Sequence, residues 1–559
     1  MVMALDIRSQ IVSLLEDALS DLHLTGNRPS VIVEIPSDIM HGEFSCNIAM
    51  QLSRSLKKSP LEIADNFVNV VQGRLKDHDL RSKIKKIEVK KPGFINFYLS
   101  SEAFYDVLYL IFRENRHFGY SEFGQDKKTL VEFVSANPTG PLTVAHGRQA
   151  AVGDSLVNIL NAAGFQAKRE YYINDEGNQI NILGRSIKAR ALELLGEAVE
   201  FPEDGYQGDY IRDMARGFIA AKEIKNVQGL NQQADGAIRQ YGVEYLMDMI
   251  QKDLRDFGVE FDLWTSQAQV ASNDEIEKVV AELREKGFVY EQDGAWWFKS
   301  TVFGDDKDRV IRKSDGAYTY LTPDIVYHKN KFERGFDWLI NFLGPDHHGY
   351  IPRIKAAVGA LGRDPNDIHV EIIQLATIYR DGKPVSMSTR RGEFITLREV
   401  IDEVGRDAGR FFFLMRQTSA HLDFDLELAK KAAPENPVYY IQYAHARICS
   451  IIRKAAEERE IRPRHDDLNL LVQDEEFELI RKLSHFGDVI ITCAKQTDPF
   501  SMGRYLQELA ATFHKFYDRH RVIDENNALT EERLALIDAT RVVIANGLIL
   551  LGIEAPEKM

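Results

Sequence analysis

"SANPTGPLTVAHGRQAAVGDSL", residues 135–156, packs Pro138, Gly140 and Pro141 into four positions and then turns directly into a helical pattern carrying His146 and Arg148. Before it runs an apolar strand pattern, "TLVEFV" (129–134). After it, "QAAVGDSLVNILNAAG" places Val152, Leu156, Ile159, Leu160 and Ala163 at helical spacing, with Gly164 closing the helix. "AKREYYIND" (167–175) reads as the next strand. Strand, helix and strand in this order form the β-α-β unit of a parallel sheet. In a doubly wound sheet, ligands bind beyond the carboxyl ends of the strands, where helix N-termini present unpaired N–H groups to an anion. Pro138 and Pro141 stiffen such a loop, and Gly140 lets its backbone turn or pack closely. His146, in the first turn, is placed to donate to a phosphate oxygen. The stretch lacks the Gly-Lys-Ser/Thr of a P-loop and is not a G-x-G-x-x-G fingerprint. On these residues alone, a plain helix start with a solvated histidine remains open.

The whole chain bounds the reading further. At 559 residues it predicts three or four domains. Its 44% hydrophobic and 28% charged residues are those of a soluble globular protein. No apolar run reaches the ~18 residues that span a bilayer, and the N-terminus reads as a mixed-charge amphipathic helix rather than a signal peptide. A cytoplasmic location and no membrane partner are therefore expected. Cys46, Cys449 and Cys493 form no C-x-x-C pair, so neither a structural zinc site nor a disulfide framework is expected. The net charge of −15, from 70 basic and 85 acidic residues, requires any nucleic acid to be held by local patches rather than bulk charge.

Residues 1–110 read as an α+β unit. It has an opening helix, a strand "SVIVEIPS" (30–37), a helix around "FSCNIAMQLSRSLKK", another at "DNFVNVVQGRL", and a hairpin over 84–100 turned by Pro92 and Gly93. Lys83, Lys85, Lys86, Lys90 and Lys91 form a positive island there, either a solvated face or a phosphate contact. Residues 111–185 and 295–410 carry the α/β pattern, and 186–294 read as a mainly helical, acidic insertion between its halves. The second half contains "AWWFKST", "DWLINFLG" (337–344), the helix "IPRIKAAVGALG" and a further strand "HVEIIQLATIYR" (369–380). From 411 to 559 only helices are expected.

"SANPTGPLTVAHGR", "REYYINDEGNQI", "YTYLTPDIVYH", "LGPDHHGY", "VSMSTRRG" and "NPVYYIQYAHARI" occur in this order, and together they resemble the arginyl-tRNA synthetases of the bacterial type over essentially the whole chain. The resemblance implies a class I aminoacyl-tRNA synthetase. It would be a multidomain α/β protein: a Rossmann-like parallel-sheet catalytic core with a helical insertion, an N-terminal α+β domain and a C-terminal all-α helical bundle. It further implies activation of L-arginine with ATP and transfer to the terminal adenosine of tRNA(Arg). "TVAH" is similar to the class I His-x-Gly-His signature, with Thr143 at the first His, Ala145 at the Gly and His146 at the second His. Thr143 retains one donor without charge, and Ala145 adds a methyl where adenine approaches. Gly147 belongs to the same ATP-facing turn. The loop 386–392 aligns with the Lys-Met-Ser-Lys-Ser loop, with Met387 and Ser388 at ATP and with Ser386 and Thr389 at the lysine positions. Some arginyl enzymes with such a loop carry a lysine ahead of the signature; here that position is Gly140. Positive charge must still meet the leaving pyrophosphate, and Arg390 and Arg391 are the candidates, with Lys383 behind them.

A guanidinium offers five donors and no acceptor, so its site needs carboxylates and neutral acceptors. The resemblance assigns arginine to Asn137, Tyr320 and Asp324, with Glu132 and Ser135 alongside. Glu132 lies late in its strand, and Tyr320 and Asp324 are one helical turn apart. As structural alternatives, Asp324 would be a helix N-terminal acid and Tyr320 a half-buried aromatic. Buried carboxylates in fork geometry reject lysine strongly, so no editing role is expected of 186–294. In "DHHGY" (346–350), adjacent histidines diverge on a helix start and no metal site is expected; the resemblance sets His347 or His348 near the ribose or adenine. Mg²⁺ arrives with ATP. Asn174, Asp175, Gly177 and Gln179 read as turn and N-cap chemistry, or as the cleft edge where the tRNA end enters.

In the terminal helices, Tyr440, Tyr443 and Arg447 share one face, a combination suited to unstacked bases and equally to an aromatic core stripe. The resemblance makes this bundle the anticodon-binding domain, with Met559 close to the anticodon loop. It also puts the N-terminal unit at the tRNA elbow and makes bound tRNA a requirement for activation. A monomer is expected. The competing readings are a related nucleotidyltransferase or another synthetase, and a catalytically inactive RNA-binding paralogue.

Overall fold

The structure is a computed structural model that describes residues 3–21, 29–36, 38–385 and 395–559. At its centre lies a five-stranded sheet. Its elements in chain order are β1 (Lys128–Glu132), α1 (Val144–Ala162), β2 (Gln166–Ile173), β3 (Leu263–Ser266), α2 (Leu321–Glu333), β4 (Trp338–Leu343) and β5 (Ile368–Ile372). The spatial order is β5-β4-β1-β2-β3, and every neighbouring pair is parallel. From β1 the chain first winds outward through α1 to β2 and β3, then crosses back to lay β4 on the other side. The strand order therefore reverses between β1 and β4, and the crevice beyond their carboxyl ends is where such sheets bind ligands.

α1 is buried on nearly every face because it is sandwiched between the sheet and the terminal helices. Gly153 makes that contact possible: a Cβ there would lie 2.2 Å from the Phe133 ring. Gly164 follows the helix at φ +89°, the left-handed exit expected of it. On the other side, Asp154 of α1 holds both Arg169 of β2 and the fully buried Arg410, and Arg410 also donates to the carbonyls of Leu551, Phe257 and Gly258. One buried guanidinium thus ties the chain's last turn to the central helix.

Several sequence expectations are corrected. The strand expected over 30–37 shrinks to Val33–Glu34, and Phe44–Cys46, expected as helix, pairs as a strand with Phe94–Leu99 before the helix Ile48–Leu56 begins. "AWWFKST" does not join the central sheet. Ala295–Phe298 pairs antiparallel with Val289–Gln292 around Asp293 and Gly294, both at positive φ, a two-residue Asp-Gly hairpin. Within 186–294, expected to be mainly helical, β3 is an edge strand of the central sheet. "HVEIIQLATIYR" is two strands. After β5 the chain breaks at Gln374, whose N–H donates to Thr418 O and whose carbonyl accepts from Arg148. Ala376–Arg380 then pairs in parallel with Leu422–Asp425, a strand in a region expected to be all helix. Among the described residues, no helix is long and apolar enough to cross a membrane.

In the N-terminal unit, the hairpin Ile84–Lys90 and Phe94–Leu99 forms as expected. Its lysines are partly neutralised: Lys83 pairs with Asp106 at 2.9 Å, and Lys86 and Lys90 pair with Glu88 at 2.9 and 3.2 Å. The three cysteines are free.

Candidate active site

β1 ends at Glu132, and the chain leaves the sheet through Val134 and Ser135 at φ +65° and +40°. A β-branched residue in the left-handed region is strained, and such strain clusters at functional sites. Surrounding bonds hold it in place. The Ser135 hydroxyl donates to Glu132 Oε1 at 3.2 Å and accepts from the Tyr172 N–H at 3.1 Å, and Tyr171 donates to Ala136 O at 2.8 Å. Farther along, Asn137 Nδ2 donates to Gln179 Oε1 at 2.7 Å, and Tyr210, on the helix Asp209–Ala221, donates to Thr139 O.

The loop delivers the chain into α1 with Thr143 as N-cap. His146 Nδ1 accepts from the Thr143 N–H at 3.0 Å, closing a capping box. Nδ1 is therefore unprotonated and Nε2 carries the proton, so His146 keeps one ring N–H as a donor. Burial lowers its pKa to about 4, which keeps the ring neutral. Ile395 O accepts from the Val144 N–H, and Leu142 O from the Leu397 N–H, so the segment after residue 394 is pinned to this turn. Gly147 faces inward: a Cβ there would meet Leu397 Cδ1 at 2.8 Å and Phe413 at 3.1 Å. Arg148 is no anion contact. It is fully buried and donates to the carbonyls of Gln374, Gln417 and Ala420. Desolvation lowers its pKa to about 10.

Beyond the carboxyl ends of β2 and β4 opens a cleft of about 500 Å³, lined by Tyr172, Asn174, Gln267, Tyr320, Asp324, His347, Tyr350 and Arg353. Tyr320 is the N-cap of α2 and Asp324 sits in its first turn, so the one-turn spacing brings both to the same wall. Tyr320 is 74% exposed, which rules out the half-buried aromatic. Asp324 accepts from the Tyr350 hydroxyl, and burial raises its carboxyl to about 7, with Tyr350 pulling it down, Glu132 up and Lys331 down. Asp324 is half-buried at the cleft wall, and its desolvation outweighs the opposing pull of its neighbours.

Glu132 does not line this cleft. It lies behind it, 8% exposed, with Oε2 2.5 Å from Nζ of the fully buried Lys331. From Lys331 a directional chain runs back to the main chain of Asp324. Lys331 donates to Asn341 Oδ1 (3.2 Å), Asn341 Nδ2 to His328 Nε2 (3.1 Å), and His328 Nδ1 to Asp324 O (2.7 Å). Burial, with Lys331 beside it, lowers the His328 pKa to about 3, so the ring is the neutral link this chain requires. Glu170 lies deeper, 3.9 Å from Lys331 and bonded to Thr265, Tyr327 and Arg334.

His347 lines the cleft and His348 does not, although both are exposed on the turn Pro345–Tyr350. Asp175 is engaged, accepting from Ser266 Oγ and the Ala268 N–H, and the cap of the following helix is Gly177. Met387, Ser388, Arg390 and Arg391 lie outside the described residues, whereas Lys383 lies in the short strand Lys383–Pro384. Sequence reasoning missed Tyr172, Tyr350, Arg353 and Lys331. For Lys331 a signal existed: Asp324, His328 and Lys331 share one face of α2 at helical spacing. Among the described residues, no group of three His, Cys, Asp or Glu is arranged to hold a metal ion.

In the terminal bundle, Tyr440, Tyr443 and Arg447 lie on α3 (Pro437–Arg459). Tyr440 and Tyr443 pack against the His514 ring at 4.7 and 6.0 Å, and Arg447 donates to the Tyr517 hydroxyl at 2.7 Å. Tyr443 remains 40% exposed. The tail runs back along α3: Gln442 donates to Glu554 O and His445 Nδ1 to Pro556 O, leaving Met559 55% exposed at its end.

Comparison with known proteins agrees with this layout. Residues 9–99 match the family described as arginyl tRNA synthetase N terminal domain, 109–421 the family of tRNA synthetases class I (R), catalytic domain, and 441–559 the DALR anticodon binding domain. The chain is 46% identical over 557 residues to an arginine–tRNA ligase of Citrifermentans bemidjiense, covering 99% of each. To that of Listeria monocytogenes serotype 4b it is 47% identical over 532 residues, 95% of each. Thermus thermophilus arginyl-tRNA synthetase superposes with a TM-score of 0.73 at 21% identity, covering 99% of this chain and 100% of that one, a likeness of fold. With close relatives aligned end to end and a class I catalytic domain set on a parallel sheet, the chain belongs to the arginyl-tRNA synthetases.

Proposed function

We propose that the protein joins L-arginine to tRNA(Arg) for translation in two steps. The arginine carboxylate attacks the α-phosphorus of ATP, giving arginyl-adenylate and pyrophosphate. The 3′-terminal adenosine hydroxyl of tRNA then attacks the activated carbonyl and releases AMP. The observation that carries this reading is Asp324, an acid in a cleft beyond the strand-order reversal, within a family of arginine–tRNA ligases.

Asp324 receives the guanidinium, with Tyr320 beside it. Binding a cation favours the ionised carboxylate, so arginine draws Asp324 out of its partly protonated resting state. Glu132 acts from behind: Lys331 neutralises it and Ser135 links it to the strained loop. Asn137, held by Gln179, suits the substrate's amino and carboxylate ends. The N–H of His146 Nε2 donates to a phosphate oxygen as charge builds in the transition state, with Thr143, Ala145 and Gly147 shaping the turn at which ATP lies. His347 and His348 approach the ribose or adenine.

Arg390 and Arg391 supply cations to the departing pyrophosphate, and Met387 and Ser388 bind ATP; Ile395 O accepts from the Val144 N–H at the signature turn. Mg²⁺ enters with ATP, held mainly by phosphates and water. Tyr440, Tyr443, Arg447 and Met559 read the anticodon loop by stacking and charge. Residues 1–110 contact the tRNA elbow, 111–185 and 295–410 form the catalytic core with 186–294 inserted, and 411–559 form the anticodon domain. The working unit is a cytoplasmic monomer.

ATP–pyrophosphate exchange with each amino acid, with and without tRNA, tests the reading. Arginine-dependent exchange that requires tRNA is expected. Exchange with another amino acid and none with arginine would overturn it.

A further inference from the structure

Tyr172, at the carboxyl end of β2, is 8% exposed and lines the cleft, and its hydroxyl has no hydrogen-bond partner among the described residues. A buried polar atom without a partner costs about 1–3 kcal/mol, so its presence at a ligand wall calls for an occupant. Its ring cannot swing away, because it stacks on Tyr327 at 4.1 Å between centroids and an interplanar angle of 21°. Across the cleft, Tyr350 donates its hydroxyl to Asp324 Oδ2. That bond occupies one carboxylate oxygen and leaves the other edge to the cleft.

We infer that Tyr172 and Tyr350 are specificity-determining residues of the guanidinium subsite, Tyr350 by fixing the plane of the Asp324 carboxylate and Tyr172 by accepting an N–H that the carboxylate cannot reach. The inference rests on the reading that Asp324 holds the substrate guanidinium. A guanidinium spreads five N–H donors over a rigid plane, so acceptors on more than one side of that plane are required to satisfy it. Asp324 supplies one edge. Tyr172 supplies a neutral acceptor, and it stays neutral because burial, with Asp324 and Glu132 nearby, raises its pKa far above the usual phenol value. Tyr350 is a positioning residue: bonded on one side to Asp324 and lying 5.6 Å from the Arg353 guanidinium on the other, it holds the acid still. An alkylammonium carries its donors on one compact nitrogen, whereas the guanidinium spreads them over a planar fork that can meet the Asp324 edge and the Tyr172 hydroxyl together. Lysine therefore leaves one acceptor unmet, and a site with an unmet buried polar group discriminates strongly.

The pH behaviour of Asp324 supplies a readout that structural damage would not mimic. The groups facing it are Glu132 from β1, Tyr172 from β2, His328 and Lys331 from its own helix, and Asp346, His347, Tyr350 and Arg353 from the segment after β4. Of these, Tyr350 lowers the carboxyl pKa, so deleting its hydroxyl moves the acid limb of arginine binding to higher pH.

The test uses Y172F, Y350F and D324N in the full-length protein with tRNA present, with KM for arginine and for ATP measured by pyrophosphate exchange between pH 5.5 and 8.5. Y172F and Y350F are each expected to raise KM for arginine about tenfold, with KM for ATP within twofold of wild type. Y350F is also expected to shift the acid limb upward, and Y172F to narrow the preference for arginine over lysine. An arginine KM within twofold of wild type in both tyrosine variants, with D324N raising it strongly, would overturn this inference and leave the Asp324 reading intact. An unchanged arginine KM in D324N would overturn both. The tyrosine variants are read separately, so if one fails to fold the other still decides.

Discussion

Lys331 Nζ, with no exposed side-chain surface, lies 2.5 Å from Glu132 Oε2 and 3.9 Å from Glu170 Oε2, so one ammonium serves two buried acids beneath the cleft. Burial pushes Glu170 up, yet the combined pull of Lys331, Arg334 and Thr265 outweighs it and holds the carboxyl below its usual range. Removing one partner of such a cluster strands charge in a low-dielectric interior. K331M is therefore expected to destabilise the protein by about 3–5 kcal/mol, measured by urea unfolding. A loss below about 1 kcal/mol would mean the acids simply take up protons.

Arg148 makes a parallel case without a carboxylate. Its guanidinium is shared among three carbonyls that join the break after β5 to residues 417–420. R148A removes the charge-assisted bonds that hold these segments together across the break, and a loss of at least ~3 kcal/mol is expected. R148K, with one nitrogen for three acceptors, should recover less than half of it in the same unfolding measurement.

D324N is expected to raise KM for arginine about 100-fold or more while changing KM for ATP less than threefold, because the amide keeps the shape and loses the charge. Equal effects on both substrates in pyrophosphate exchange would make Asp324 a structural acid.

The same residue sets a pH dependence of stability in the ligand-free protein. Its folded pKa, about 7, lies above the ordinary value of 3.8. Between those values the folded chain holds a proton that the unfolded chain has released, so stability from this group is largest at low pH and falls as pH rises toward 7. The difference in unfolding free energy between wild type and D324N should change across pH 4.5–7 and level off above it. A difference that does not vary with pH would mean a carboxyl with an ordinary pKa. Arginine, binding the ionised form, should release protons at pH 6, visible by calorimetry in buffers of different ionisation enthalpy.

H146A is expected to lower kcat of activation about 100-fold with little change in KM for arginine, since it removes one donor to developing charge. Because the imidazole pKa is held near 4, its protonation should leave no limb in the kcat profile above pH 5.5. An unchanged kcat would remove His146 from the chemistry.

The β-α-β unit, the helix with His146 in its first turn and the hairpin turned by Pro92 and Gly93 were legible in the residues, because turn chemistry and periodicity act over a few positions. So was the shared wall of Tyr320 and Asp324, one helical turn apart. The Asp-Gly turn at 293–294 was equally local, yet "AWWFKST" reads only as part of the α/β pattern, because an apolar run does not state which strand it pairs with. Glu132 looked like an open acid for the same reason. Its partner lies 199 residues away, and only the crossover that lays β4 beside β1 brings Lys331 beneath it. What the sequence by itself determined were the local elements and the types of group at the strand ends. Which acid is neutralised, which stays free and which tyrosine hydroxyl is left waiting were decided by tertiary structure alone, because charge compensation and desolvation depend on distances in space that chain separation does not encode.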